Sequence, residues 1–146
     1  DRNGKVLTIP SSTIKFGYRK NDLPKDLIFL SASFKGKFKK KDIVKKEIEI
    51  LKTKKDKAQP TQVKTGGSTF KNPIGQTHKK VWELIKLSIP KNISFGGAAI
   101  SEKHLNFFVN KNKATFEDMK KLIDFVKKNV KEKTGVNLDL EIEIIG

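Results

Sequence analysis

Three observations predict an α+β fold. Strand-like pieces and helical pieces follow one another without a regular strand–helix–strand repeat, the strand-like pieces are short, and the helical stretches carry apolar stripes at i, i+3 or i+4 spacing. The chain has 146 residues, of which 36% are hydrophobic. That length suits one ordinary domain or two small ones and suffices to bury a core.

Taken in order, Asp1-Arg2-Asn3-Gly4 reads as a hairpin turn inside a larger protein, so the chain is expected to be a fragment. Residues 5–9 read as a short strand ended by Pro10, residues 13–18 as another, and residues 27–34 as a longer one rich in strand formers. Residues 41–54 turn helical: Asp42 can cap the start, and Val44, Ile48 and Leu51 fall on one face with lysines opposite. Ala58-Gln59-Pro60-Thr61 breaks that helix. A glycine-rich turn and short strand occupy residues 65–73. Residues 78–87 form a second helix with Val81, Trp82 and Ile85 facing inward. Residues 96–100 and 105–110 read as extended. Thr115 with Asp118 makes a capping-box variant that opens a third helix, whose stripe is Phe116, Met119, Ile123, Val126 and Val130; Thr134-Gly135 stops it. Leu138, Leu140, Ile142 and Ile144 alternate with Asp139, Glu141 and Glu143 in a final strand with one polar face.

Composition excludes several classes. The chain has no cysteine, so no disulfide scaffold, zinc-finger framework or thiol nucleophile is available. No apolar run approaches the ~20 residues a membrane helix needs, and a soluble, cytoplasmic protein with no membrane partner is expected. The net charge of +16 invites a lysine-rich nucleic-acid-binding module, densest at residues 35–57 with 11 lysines against 4 acids. Yet only Arg2 and Arg19 among the 32 basic residues are arginines, whereas phosphate-gripping sites favour the planar guanidinium fork. A lysine bias beside many Ile, Asn and Phe fits AT-rich coding drift on solvated faces, and no nucleic-acid partner is expected.

Three places could carry chemistry. Arg19 in Phe16-Gly17-Tyr18-Arg19 is either a carboxylate or phosphate clamp or a surface arginine on a strand. Gly66-Gly67-Ser68 presents a hydroxyl at a turn where backbone can approach a ligand; it is neither a Walker loop nor a nucleophile elbow, so Ser68 is suited to hand over a proton rather than attack, or is a plain turn serine. Glu141 either faces water or acts as an acid. His78 and His104 stand 26 positions apart without metal-ligand spacing, so no metal site is expected.

Together these pieces are far more specific. Phe16-Gly17-Tyr18-Arg19, Gln59-Pro60, Gly67-Ser68-Thr69-Phe70-Lys71-Asn72-Pro73, Gly96-Gly97-Ala98, Ser101-Glu102-Lys103-His104-Leu105-Asn106-Phe107, Asn112-Lys113-Ala114-Thr115, Gly135-Val136-Asn137-Leu138, Glu141-Ile142 and Ile145-Gly146 occur in this order. The chain resembles the C-terminal half of the UDP-N-acetylenolpyruvoylglucosamine reductase family, flavoenzymes of peptidoglycan precursor synthesis, of the type lacking the extra tyrosine loop. Within this pattern Leu87-Ser88-Ile89-Pro90-Lys91-Asn92 replaces the family's usual Ala-Gly-x-x-Gly stretch.

The resemblance implies an α+β architecture in which residues 1–36 are the last strands of a FAD-binding domain, 37–60 a helical linker, and 61–146 a small mixed α/β domain for the UDP-sugar. It implies a reaction in which NADPH reduces FAD and the enolpyruvyl group of UDP-N-acetylglucosamine enolpyruvate becomes the lactyl ether of UDP-N-acetylmuramate. It implies Ser68 as proton donor, Arg19 and Glu141 flanking the enolpyruvyl carboxylate, and Tyr18, Lys71, Asn72, His104 and Asn106 as substrate-binding residues. It also implies a partner, the N-terminal FAD-binding half of the same enzyme, without which this chain is expected to bind flavin poorly. A UDP-sugar-binding domain with no redox activity of its own is the corresponding alternative.

Overall fold

The computed structural model describes residues 1–145; Gly146, the second residue of the Ile145-Gly146 ending, lies outside the described residues. The chain divides into two units, Asp1–Lys40 and Lys41–Gly146. The first opens on a turn closed by the Gly4 N–H on the Asp1 carbonyl (3.2 Å), with Gly4 at φ +81°. A 3-10 turn at Ser11–Thr13 follows Pro10. A two-stranded antiparallel hairpin then forms from β1 (Phe16–Gly17) and β2 (Lys20–Asn21), with Tyr18 and Arg19 as its two-residue tip.

Residues 5–9 and 27–34 are not strands. Their composition favours extended backbone, but a strand exists only by pairing, and no ladder partner is present among the described residues. Ile28, Phe29, Leu30 and Phe34 are exposed.

The second unit begins with α1 (Lys41–Ala58), which runs past residue 54 to the Gln59-Pro60 break. Asp42 lies inside its first turn rather than before it, where the carboxylate complements the positive end of the helix. None of its residues is buried. Next come β3 (Lys64–Ser68), α2 (Val81–Ser88), β4 (Ser94–Phe95), β5 (Ala98–Ile100), β6 (Phe107–Asn110) and α3 (Phe116–Thr134). The four strands make one antiparallel sheet ordered β3-β6-β5-β4. α3 packs on α2 and on β4 and β5. With helices packed beside an antiparallel sheet, the architecture is α+β.

The core joins Phe70, Phe108 and Ala98 of the sheet region to Val81, Leu84 and Ile85 of α2 and Leu122, Ile123, Val126 and Val130 of α3. Two expected core residues are on the outside. Trp82 is exposed because the buried stripe of α2 is Val81, Leu84, Ile85 and Ser88, and Trp82 stands about 100° round from Val81. Phe116 is exposed at the first position of α3, while Leu122 takes a place in the stripe. The Thr115 cap is as expected: its hydroxyl accepts the Asp118 N–H (3.1 Å) and Asp118 accepts the Thr115 N–H (3.0 Å). Gly135 ends α3 at φ +72°.

The final strand reduces to a single antiparallel bridge, Phe70↔Leu140. Alternation still operates there, since Val136 and Leu138 are buried and Leu140 and Ile142 pack on the core. It stops at Ile144 and Ile145, which are exposed.

Candidate functional site

Ser68 ends β3 at an irregularity. The register slips between Thr65 and Ser68 opposite β6, and Gly67 sits at φ +88°. A bulge of this kind re-aims side chains and leaves ladder groups unpaired. Thr65 repairs the ladder: its hydroxyl donates to the Phe108 carbonyl (2.7 Å) and accepts the Gly67 N–H (3.2 Å). The Gly-Gly pair thus serves the bulge, and Ser68 emerges from it half-buried.

The three residues after Ser68 are held on both edges. On one side the Thr69 N–H donates to the Asn106 carbonyl at 2.7 Å. On the other the Lys71 N–H donates to the Asp139 carbonyl (2.8 Å) and the Glu141 N–H to the Thr69 carbonyl (2.9 Å). Glu141 is therefore paired with Thr69, the residue next to Ser68, although 72 positions separate Glu141 and Thr69 in the chain. Lys71, Asn72, His104 and Glu141 are all half-buried.

Three side-chain amides act as strand partners for single residues. Asn106, 6% exposed, accepts the Phe70 N–H (3.0 Å) and donates to the Phe70 carbonyl (2.8 Å). Gln76 accepts the Asn137 N–H (2.9 Å) and donates to the Asn137 carbonyl (3.0 Å). Asn110 accepts the Ala114 N–H (2.9 Å) and donates to its carbonyl (3.2 Å). Each amide supplies one donor and one acceptor, as a peptide would across a ladder. Asn110 and Gln76 were missed by sequence reasoning; the available signal was an asparagine at each end of the apolar run Phe107-Phe108-Val109.

Asn72 has a related task. Lys80, the residue before α2, has no side-chain acceptor, and the Asn72 side-chain amide oxygen (Oδ1) accepts the Val81 N–H at 3.2 Å in its place. Glu83 accepts the Lys80 N–H at 2.7 Å. The Ser101 to Phe107 stretch is a self-bonded connection between β5 and β6: Ser101 Oγ accepts the Lys103 N–H (3.2 Å), and His104 Nδ1 accepts the Asn106 N–H (3.2 Å). The His104 ring lies edge-on to Phe107.

The Gly96-Gly97 pair is a packing requirement. A Cβ on Gly96 would fall on the Asp118 carboxylate and one on Gly97 on the Asn112 carbonyl. The Thr115 backbone N–H, then its hydroxyl, hold the Asp118 carboxyl below the usual carboxylate range, aided by the Gly97 N–H and Lys121. Within residues 87–92, Asn92 adopts φ +64°, a conformation glycine takes freely and asparagine tolerates.

Arg19 belongs to the first unit, at the tip of the hairpin, with its guanidinium 5.6 Å from the Tyr18 ring centre. Its φ of +56° at the second tip position is where a type II turn calls for glycine. A groove of about 520 Å³ between α3 and the terminal segment, lined by Lys127, Lys128, Lys131, Glu132, Asn137, Leu138 and Asp139, contains none of the predicted site residues.

A family model described as UDP-N-acetylenolpyruvoylglucosamine reductase, C-terminal domain, matches residues 59–145. The chain belongs to this reductase family. The UDP-N-acetylenolpyruvoylglucosamine reductase of Pelagibacter ubique is 65% identical over 145 residues, which is 99% of this chain and 48% of that protein. That of Rickettsia typhi is 42% identical over 143 residues, 98% of this chain and 48% of its own length. The crystal structure of UDP-N-acetylenolpyruvylglucosamine reductase (MurB) from Thermus caldophilus superposes with a TM-score of 0.68 at 30% identity, covering 91% of this chain and 47% of that one. The chain thus spans about half the length of the reductases it matches. The reductase family model takes in Ser68, Lys71, Asn72, His104, Asn106 and Glu141; Tyr18 and Arg19 precede it.

Proposed function

We propose that this chain is the C-terminal part of an oxidoreductase of peptidoglycan synthesis that converts UDP-N-acetylglucosamine enolpyruvate to UDP-N-acetylmuramate, using NADPH through FAD. The observation that carries the reading is 65% identity sustained along 99% of the chain to a protein named for that reaction. In this reading residues 1–36 end the FAD-binding domain, residues 37–60 link, and residues 61–146 hold the UDP-sugar. A UDP-sugar and NADPH are both cytoplasmic small molecules, and the enzyme is proposed to be cytoplasmic. No helix among the described residues is long and apolar enough to cross a membrane.

A pyrophosphate needs open backbone N–H groups at a glycine turn. Gly97 is closed in by Asn112 and Gly96 by Asp118, so the Gly96-Gly97 pair is not such a turn. The flavin and its hydride chemistry are proposed to belong to the N-terminal half, this chain's proposed partner, since the chain spans about half of its relatives' length; exposed Phe29, Leu30, Phe34 and Leu51 supply apolar surface of the kind such a partner covers.

This chain's own contribution is to the substrate. Reduction breaks the enolpyruvyl C=C π bond, adds a hydride to the methylene carbon and a proton to the carbon bearing the carboxylate. Negative charge builds on the carboxylate-conjugated carbon in between. Ser68 Oγ is proposed to donate the proton, and Arg19 to hold the carboxylate and stabilise its developing enolate-like charge, with Glu141 flanking it. Tyr18, Lys71, Asn72 and His104 are proposed to line the substrate's path.

The test is Ser68→Ala in the full-length protein, followed as two half-reactions. Flavin reduction by NADPH should persist while reoxidation by the enolpyruvyl substrate falls by about 10²–10⁴-fold, the usual range for loss of a general acid. Equal loss of both half-reactions would make Ser68 a structural residue and remove it from the mechanism.

A further inference from the structure

We infer that Asn106 is a positioning residue that fixes the Ser68 proton donor against the Glu141 strand, rather than a ligand of the sugar. The inference rests on the proposed role of Ser68. Asn106 is 6% exposed, and its amide oxygen and nitrogen are both engaged by Phe70, at 3.0 and 2.8 Å. Its own carbonyl takes the Thr69 N–H at 2.7 Å, so one residue makes three bonds to the dipeptide that follows Ser68.

The location explains the need. β3 loses its register between Thr65 and Ser68, and Gly67 at φ +88° adds freedom. Regular pairing to β6 ends at Ser68↔Phe107 and the last backbone bond on that side is the Thr69 N–H to the Asn106 carbonyl, so at Phe70 the β6 side is held by a side chain instead of the ladder. The Asn106 amide takes that place on the β6 side, while the Asp139 carbonyl and Glu141 N–H hold the opposite edge. Phe70 itself is anchored below by its edge-on contact with Phe108 (5.7 Å) and is 1% exposed. Removing the amide leaves the Phe70 N–H and carbonyl buried without partners on that side. The backbone between Gly67 and Phe70 then relaxes, and Ser68 moves with it. A donor must lie within hydrogen-bond reach of the carbon it protonates, so a small shift is costly.

The experiment uses the full-length flavoenzyme with Asn106→Asp, which keeps the volume but sets a carboxylate against the Phe70 carbonyl, and Asn106→Ala, which removes both bonds. Flavin reduction by NADPH is expected to stay within about twofold, since the residue touches nothing in that step. Reoxidation at saturating UDP-N-acetylglucosamine enolpyruvate should fall about 10- to 100-fold. The substrate dissociation constant should change by less than about threefold, and the solvent deuterium isotope effect on reoxidation should rise as proton delivery becomes slower. A raised dissociation constant with an unchanged saturated rate would overturn the inference in favour of a direct sugar contact. A lowered melting temperature with both rates and the isotope effect unchanged would overturn it in favour of a purely structural role. Should neither variant fold, the unmutated protein decides by NMR: an Asn106 side-chain amide protected from exchange both with and without the UDP-sugar supports positioning, and protection that arises only on adding the sugar overturns it. An unmutated enzyme that the enolpyruvyl substrate fails to reoxidise would instead defeat the functional reading itself.

Discussion

At the scale of single residues, Arg19 shows strain where chemistry is proposed. A non-glycine residue at φ +56° costs about 1–3 kcal/mol and persists where the surroundings or the function require that side chain. In the full-length enzyme Arg19→Lys keeps the charge but loses the planar fork, and reoxidation of the flavin by substrate should slow about 10²-fold in stopped-flow measurements while reduction by NADPH is unchanged. Ser88 carries strain of a different kind. Its hydroxyl is fully buried in α2 and has no hydrogen-bond partner. Ser88→Ala removes an unsatisfied polar group, so denaturant unfolding should show a gain of about 1 kcal/mol.

The start of α3 is where local sequence and tertiary packing meet at the scale of elements. Thr115 and Asp118 cap the helix reciprocally, and Thr115→Ala should cost about 1 kcal/mol in urea unfolding. The Asp118 carboxylate also lies against Gly96, and the nearby Gly97 backbone favours its charge, so Asp118 brings α3 up to the turn between β4 and β5. Because the folded state lowers its pKa, Asp118 adds stability above its unfolded pKa and loses that contribution as pH falls through the folded value. The stability gap between the parent chain and Asp118→Asn should accordingly be constant above about pH 5 and shrink as pH falls below the ordinary carboxylate value of 3.8. α1 is the contrasting element. Its pattern is helical, yet none of its residues is buried, so it has propensity and charge distribution without a packed face.

For the whole molecule, the second unit has a contiguous core and the first has little buried surface. By itself this chain should bind the UDP-sugar in calorimetry and retain no yellow flavin after gel filtration with FAD; retained flavin absorbance would contradict the assignment of the cofactor to the other half. Periodicity read the helices well because a helix closes its hydrogen bonds locally, and Thr115, Gly135, Val126 and Val130 stand where their spacing put them. Strands were read poorly at residues 5–9, 27–34 and 138–144, because an extended segment becomes a strand only by pairing with distant backbone.

The site divides along the same line. Residue types in order along the chain were enough to assign the family and to single out Ser68, Arg19 and Glu141, since chemistry needs particular side chains and these survive as a linear pattern. That Thr69 and Glu141 share a hydrogen bond, that Asn72 caps a helix nine positions away, and that the Asn106 amide is spent on the Phe70 backbone were decided only by folding. Those are bonds between groups far apart in the chain, and a buried amide takes whichever donor and acceptor the fold places within its reach.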